Sequence, residues 1–271
     1  MTDRRIVMVT GAAGGLGTVM TLALLDAGHV VAAVDRNTAA LDRLAEKATA
    51  SRDRLLLLTA DIEIESECKG AVEKAVSRFG CIDGLVNNAG IGMSSIRPDA
   101  ETSHPGIEEL TTAIWDRFFA INVRGPFVLT RAAVRHMRKR GWGRVINNTT
   151  SYKTMLRVLP YGATKSALES MSAVWASELA GSGITVNVLV PGGPTDTPFI
   201  ADGAGWPRDR MLRPAIMARP IVWLMSDASD GMSGCRIDAS EWNASLPADD
   251  AAKGASRAIG WPELAPAKTW W

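Results

Sequence analysis

Tyr161 and Lys165 stand four residues apart in Tyr161-Gly162-Ala163-Thr164-Lys165, at the start of a predicted helix, so both side chains project from one face. A phenol with an ordinary pKa of about 10 is a poor base near neutrality, and a neighbouring ammonium favours its phenolate. Such a pair can take a proton from an alcohol or return one to a developing alkoxide. Taken alone, the same spacing more often marks a surface helix pair. Three hydroxyls, Thr149-Thr150-Ser151, end a short apolar run just before it.

A second group of residues suits a phosphate-bearing ligand. Thr10-Gly11-Ala12-Ala13-Gly14-Gly15-Leu16-Gly17 follows an apolar run and opens a helical stretch, where backbone N–H groups and the positive helix end attract an anion. Gly11, Gly15 and Gly17 allow the backbone to approach it closely, and Leu16 begins the helix. Asp35 ends the second apolar run, where a carboxylate accepts hydrogen bonds from ribose hydroxyls and repels a 2′-phosphate, so NAD is favoured over NADP. Arg36 beside it is an opposing feature, because a guanidinium pairs with phosphate. Asp61-Ile62 and Asn87-Asn88-Ala89-Gly90 close the third and fourth runs. Read without context, each of these is also an ordinary strand-end turn.

The elements that must position these residues follow from periodicity. Short apolar runs at residues 6–9, 30–34, 55–58, 84–86, 144–146 and 184–190 alternate with helix-compatible stretches at 16–27, 38–50, 65–79, 107–140, 161–180 and 215–226. A break is expected in the long stretch at Pro126. Runs apolar on both faces, separated by helices, predict one α/β domain of the doubly wound, Rossmann type: a central parallel sheet with helices on both faces. That domain is expected over residues 1–240. Residues 241–271, rich in Ala, Pro and Trp, are expected to pack as a tail on the domain or on a neighbouring subunit, since Trp242, Trp261, Trp270 and Trp271 carry much apolar area.

Composition narrows the function classes. Thirty basic and 29 acidic residues leave a net charge of +1, so no global field attracts nucleic acid or an anionic membrane. Cys68, Cys81 and Cys235 are far apart, which argues against a metal site or a disulfide framework and fits a reducing cytoplasm. The apolar segment at residues 6–9 is too short for a signal sequence or a membrane span. A small-molecule ligand is the remaining expectation.

The glycine turn, the Asn-Asn-Ala-Gly turn, Asn122, the Thr149-Thr150-Ser151 strand end, the Tyr161/Lys165 pair and Pro191-Gly192 occur in an order that resembles the short-chain dehydrogenase/reductase family, over about residues 5–240. The resemblance implies an oxidoreductase that moves a hydride between NAD(H) and a secondary alcohol or ketone, with Tyr161 as acid/base. It implies that Lys165 also bonds the nicotinamide ribose, that Asn122 holds a water linking Lys165 to solvent, and that Thr197 touches the carboxamide near Pro191. Asp61 and Ile62 would meet the adenine, and Asn88 would shape the floor beneath the cofactor. The substrate-orienting hydroxyl falls on Thr150, seven residues after Gly143, with Ser151 the adjacent alternative. A homo-oligomer, by preference a tetramer, is implied too. A non-catalytic dinucleotide sensor on the same fold is the rival, and an epimerase of the extended branch would need a larger substrate domain.

The segment from Gly90 to Asn122 is long for a connection and is expected to form a lip over the substrate pocket. Met93, Met155, Phe199 and Trp206 are candidate apolar lining. Arg97, His104, Lys153 and Arg157 would favour an acidic substrate if they face the entrance, although isolated cations are normally solvated.

Overall fold

The computed structural model describes residues 4–261, so Trp270 and Trp271 lie outside the described residues. Seven strands run parallel: β1 (Ile6–Thr10), β2 (Val30–Asp35), β3 (Leu55–Thr59), β4 (Gly84–Asn87), β5 (Gly143–Asn147), β6 (Ile184–Val190) and β7 (Cys235–Asp238). An eighth, β8 (Ser256–Ala258), pairs antiparallel with β7. The sheet order is β3-β2-β1-β4-β5-β6-β7-β8. The chain therefore winds outward from β1 in one direction and then restarts from β4 in the other. The switch between β1 and β4 opens a crevice at the carboxyl ends of the strands, where doubly wound sheets bind ligands.

Helices cover both faces, which explains why β1 to β3 are apolar up to their last residues. Strand alternation sends Val7, Val9, Val31 and Ala33 to one core, against α1 (Gly15–Asp26), α2 (Thr38–Lys47) and α8 (Ala218–Leu224). Met8, Ala32, Val34 and Leu85 go to the other, against α3 (Glu65–Phe79), α5 (Gly125–Arg140) and α7 (Tyr161–Glu178). Three further helices, α4 (Thr112–Phe119), α6 (Tyr152–Met155) and α9 (Ala248–Ala255), complete the order.

Two expectations need correction. The stretch at 107–140 is not one helix broken at Pro126. After a 3-10 turn at Ile107–Glu109, α4 and α5 are joined by a π-turn, Ala120–Arg124, in which the Gly125 N–H reaches back to the Ala120 carbonyl. Pro126, having no N–H, cannot serve the Asn122 carbonyl and sits instead near the start of α5. Gly125 is needed here for contact, since a Cβ would lie 2.9 Å from the Ile62 carbonyl. The second correction concerns β7 and β8. Arg236 and Asp238 interrupt the apolar pattern of β7, and Ser256-Arg257-Ala258 has none, so neither strand announces itself. Residues 241–261 dock through the pairing of these strands, through Trp242 against Trp223, ring centroids 6.1 Å apart, and through the Trp223 Nε1–H donating to Asp249 at 2.7 Å. Among the described residues no helix is long and apolar enough to cross a membrane.

Beneath the crevice runs a row of buried amides. Asn87 at the end of β4 donates to Thr130 of α5 at 3.0 Å and to Asn147 of β5 at 2.8 Å. Asn147 donates to Ser172 of α7 at 2.7 Å. The row locks two strands and two helices in register under the site. Asn147→Ala removes one of two hydrogen-bond partners from both the Asn87 amide and the Ser172 hydroxyl, and is expected to lower stability by about 1–3 kcal/mol. Urea unfolding reads this as a lower midpoint with an unchanged slope.

Candidate active site

A cavity of about 470 Å³ opens at the carboxyl edge and is lined from both sheet halves. One half is built by the glycine turn. Gly11 has φ +59°, and a Cβ on Gly17 would lie 1.9 Å from the Gly11 carbonyl, so the turn folds back on itself as only glycine allows. Asn88 staples it to β4 by donating to the Thr10 and Gly11 carbonyls at 2.9 and 3.2 Å. Helix α1 begins without a side-chain cap, and Gly15, Leu16 and Gly17 line the cavity, which leaves first-turn N–H groups for an anion. A Cβ on Gly15 would come within 2.4 Å of Thr197, so the turn also touches the loop after β6. This cradle fits a dinucleotide pyrophosphate.

Asp35, Arg36, Asp61 and Ile62 line the same end of the cavity. The Asp35 carboxylate accepts from the Ala13 and Asn37 N–H groups at 3.1 and 3.0 Å, which fixes it at the strand end. Asp61 is fixed similarly, accepting from the Glu63 N–H at 2.9 Å. Both carboxylates retain lone pairs toward the cavity.

Helix α7 supplies the other half. Tyr161 and Lys165 line the cavity together, with the ammonium 5.7 Å from the phenol ring centre. Lys165 donates to the Asn148 carbonyl at 2.8 Å. Thr150 and Tyr161 line the cavity together and the Thr150 side chain draws the phenol pKa down, whereas the Ser151 hydroxyl caps α6, accepting from the Thr154 N–H at 3.1 Å. The cap thus engages the rival hydroxyl. Asn122, in the π-turn, accepts from the Ile91 N–H at 2.9 Å and donates to the Ile91 carbonyl and to Thr164, the neighbour of Lys165.

Burial governs the protonation of the pair. It pushes the Tyr161 phenol well above its usual value; the Thr150 side chain pulls the other way and the nearby Glu101 carboxylate adds to the rise. Burial also draws the Lys165 ammonium down from 10.5 to about 8. Burial, the largest influence on the phenol, thus favours its protonated form.

The structure brings Gly11, Gly15, Leu16, Gly17, Asp35, Asp61, Ile62, Asn88, Thr150, Tyr161, Lys165, Pro191 and Thr197 around one cavity. Asn122 lies just behind it. Phe199 and Trp206 line it too, but Met93 packs in a small core with Ala100 and Val158, and Met155 is likewise buried outside the lining. None of Arg97, His104, Lys153 and Arg157 lines it; Arg97 donates to the Ser103 carbonyl and His104 bonds the Ala100 carbonyl.

Sequence reasoning missed a buried ion pair and an acid. Glu169, with 0% of its side chain exposed, meets Arg236 of β7 at 2.8 Å and accepts from Thr149 at 2.8 Å. Arg236 also donates to the carbonyl of the cavity-lining Thr150. Spacing offered a signal, because Glu169 stands four residues past Lys165 on the same helix face. Glu101, in the segment after Gly90, also lines the cavity, and its local sequence carries no such signal.

A lysine whose folded pKa lies below its unfolded value binds fewer protons when folded, so its penalty is full below pH 8 and fades as pH rises toward 10.5. The difference corresponds to about 3 kcal/mol. Wild type is therefore expected to gain stability relative to Lys165→Met by about that amount between pH 8 and 10.5, measured by parallel urea titrations. A pH-independent difference excludes a depressed Lys165.

With this geometry in view, relatives are informative. Residues 5–204 match the family model described as short chain dehydrogenase. The chain is 33% identical to an uncharacterized oxidoreductase of Methylorubrum extorquens over 88% of its own length and 97% of the relative's. It is 32% identical to 2-dehydro-3-deoxy-D-gluconate 5-dehydrogenase of Dickeya dadantii, over 86% and 92% respectively. Its fold is similar to that of 3-ketoacyl-(acyl-carrier-protein) reductase from Brucella melitensis, solved with NADH, with a TM-score of 0.73, 30% identity and coverage of 86% of this chain and 96% of that one. The chain belongs to the short-chain dehydrogenase family and is an oxidoreductase of that family.

Proposed function

We propose that the protein interconverts a secondary alcohol and its ketone with NAD(H) as hydride partner. The observation that carries this reading is the joint placement of Thr150, Tyr161 and Lys165 in one cavity. A bound nicotinamide cofactor supplies or accepts the hydride. Gly11, Gly15, Leu16 and Gly17 hold its pyrophosphate, Asp35 its adenosine ribose, Asp61 and Ile62 its adenine. Asn88 supports the floor, and Lys165, Tyr161, Pro191 and Thr197 hold the nicotinamide end.

In reduction, Thr150 orients the ketone oxygen and Tyr161 donates its proton to the developing alkoxide. The raised phenol pKa suits it to wait as an acid. In oxidation the Tyr161 phenolate, stabilised by the Lys165 ammonium, takes the alcohol proton and becomes the neutral phenol. Asn122, its carbonyl denied a helix donor by Pro126, holds a water through which Lys165 exchanges protons with solvent. NAD is preferred because the fixed Asp35 carboxylate repels a 2′-phosphate, while Arg36 is exposed. Trp115, Phe127 and Val174 leave apolar area exposed on α4, α5 and α7, which supports a homo-oligomer, by preference a tetramer.

A spectrophotometric screen of alcohols and ketones with each cofactor tests the reaction. Tyr161→Phe is expected to lower turnover about 10²–10⁴-fold, and Thr150→Ala about 10²-fold or more. Ser151→Ala, which loses a helix cap, retains most turnover. Near-normal activity in Tyr161→Phe sinks the mechanism, and a severe loss confined to Ser151→Ala moves the orienting role by one residue. Separately, titration of both cofactors at one salt concentration is expected to favour NAD(H). Equal or tighter binding of NADP(H) assigns control to Arg36.

A further inference from the structure

We propose that Glu101 makes the substrate pocket selective for an alcohol or ketone that carries a second hydrogen-bond donor, a hydroxyl or an ammonium, away from the reacting carbon, and against one that carries a carboxylate there. The inference rests on the alcohol/ketone reading above and adds the substrate class.

The charged side chains lining the cavity are divided by position. Asp35, Arg36 and Asp61 belong to the strand ends of β2 and β3, far along the sheet from α7, and Lys165 lies beneath Tyr161 and is bonded to Asn148. On the α7 side the one carboxylate in the lining is Glu101, whose charge is felt at the Tyr161 phenol. Around it the wall is largely apolar, made by Phe199, Ile200 and Trp206. In such a pocket a single polar group fixes orientation and specificity.

The position is built, not incidental. Ala100, fully buried, packs with Met93 and Val158 and anchors the backbone before Glu101. Ser94 donates to Glu101 Oε1 through its N–H and hydroxyl at 3.4 and 3.3 Å, and the same hydroxyl accepts from the Ala201 N–H at 3.1 Å. The acid is thus tied to the loop that carries Phe199 and Ile200. Removal from water pushes its carboxyl above the usual range, so a donor from the ligand replaces lost solvation whereas a second carboxylate adds repulsion. Hydrogen bonds to a charged partner are about twice as strong as neutral ones, which places the ammonium first.

A panel that varies one group tests this: cyclohexanol, cyclohexane-1,4-diol, 4-aminocyclohexanol and 4-hydroxycyclohexanecarboxylate, each as a competitor of the alcohol found in the screen and by calorimetric binding to the NAD-loaded protein. The amine and the diol are expected to bind at least about tenfold more tightly than the carboxylate, the worth of one charge-assisted bond. Glu101→Gln is expected to shrink the amine-to-carboxylate ratio at least fivefold (about 1 kcal/mol), and Glu101→Asp to keep its sign, with unfolding midpoints confirming that both variants fold. An unchanged ratio in Glu101→Gln, a wild type that prefers the carboxylate, or no binding by any of the four overturns the proposal. Each of those results leaves hydride transfer to the screened alcohol intact, whereas failure of the underlying reading appears as absence of that transfer.

Discussion

A helix that buries four polar side chains on one face can lie against a parallel sheet only if every one of them finds a partner there. Helix α7 meets this demand in steps along its length. Tyr161 shares the cavity wall with Thr150, Lys165 bonds the Asn148 carbonyl, Glu169 takes Thr149 and Arg236, and Ser172 takes Asn147. Four contiguous positions at and after the end of β5 are thereby committed to one helix. A buried polar group without its partner is destabilising by kilocalories per mole, so sliding α7 along the sheet would break several of these bonds together. The distance between phenol and ammonium is therefore set by the whole seat of the helix, including contacts that never reach the cavity.

Much of this was legible in the sequence. Strands apolar on both faces, separated by helices, identify a covered parallel sheet, and the polar residues at strand ends point to its carboxyl edge. The elements that escaped are those whose patterns are local exceptions. β7 carries Arg236 because its charge is neutralised by Glu169 across the core, and a single strand does not disclose a partner 67 residues away. β8 exists by pairing with β7, not by its own propensity. The discontinuity before α5 was visible as a proline, yet its form was not. A missing N–H marks which carbonyl goes unserved, while the π-turn depends on how Gly125 packs against Ile62.

The site shows the same division. Residues held by short-range geometry, such as the glycine turn and the Tyr161/Lys165 pair, were readable from their joint order along the chain, though not from either spacing alone. Side chains delivered by the irregular segment after Gly90 were not, because which of Arg97, Glu101 and His104 turns inward is decided by the packing of Ala100 and Met93 rather than by any period. Thr150 and Ser151 differ in the same manner. Strand alternation alone separates the two side chains, and the helix cap on α6 decides which is engaged elsewhere.

The last strand has a consequence beyond architecture. β8 spans three residues and runs against the direction of the other seven strands, so among the described residues the sheet ends there on a short, reversed segment bearing Arg257. Without it, β7 would present an open row of backbone donors and acceptors continuous with the core, a template for intermolecular strand addition. The same terminal segment continues to Gly260, whose carbonyl accepts from Tyr152 at 2.8 Å. Edge protection and the integrity of the chamber wall are thus linked through one stretch of chain: peeling this border away would bare the β7 edge and remove the Gly260 partner of Tyr152 together.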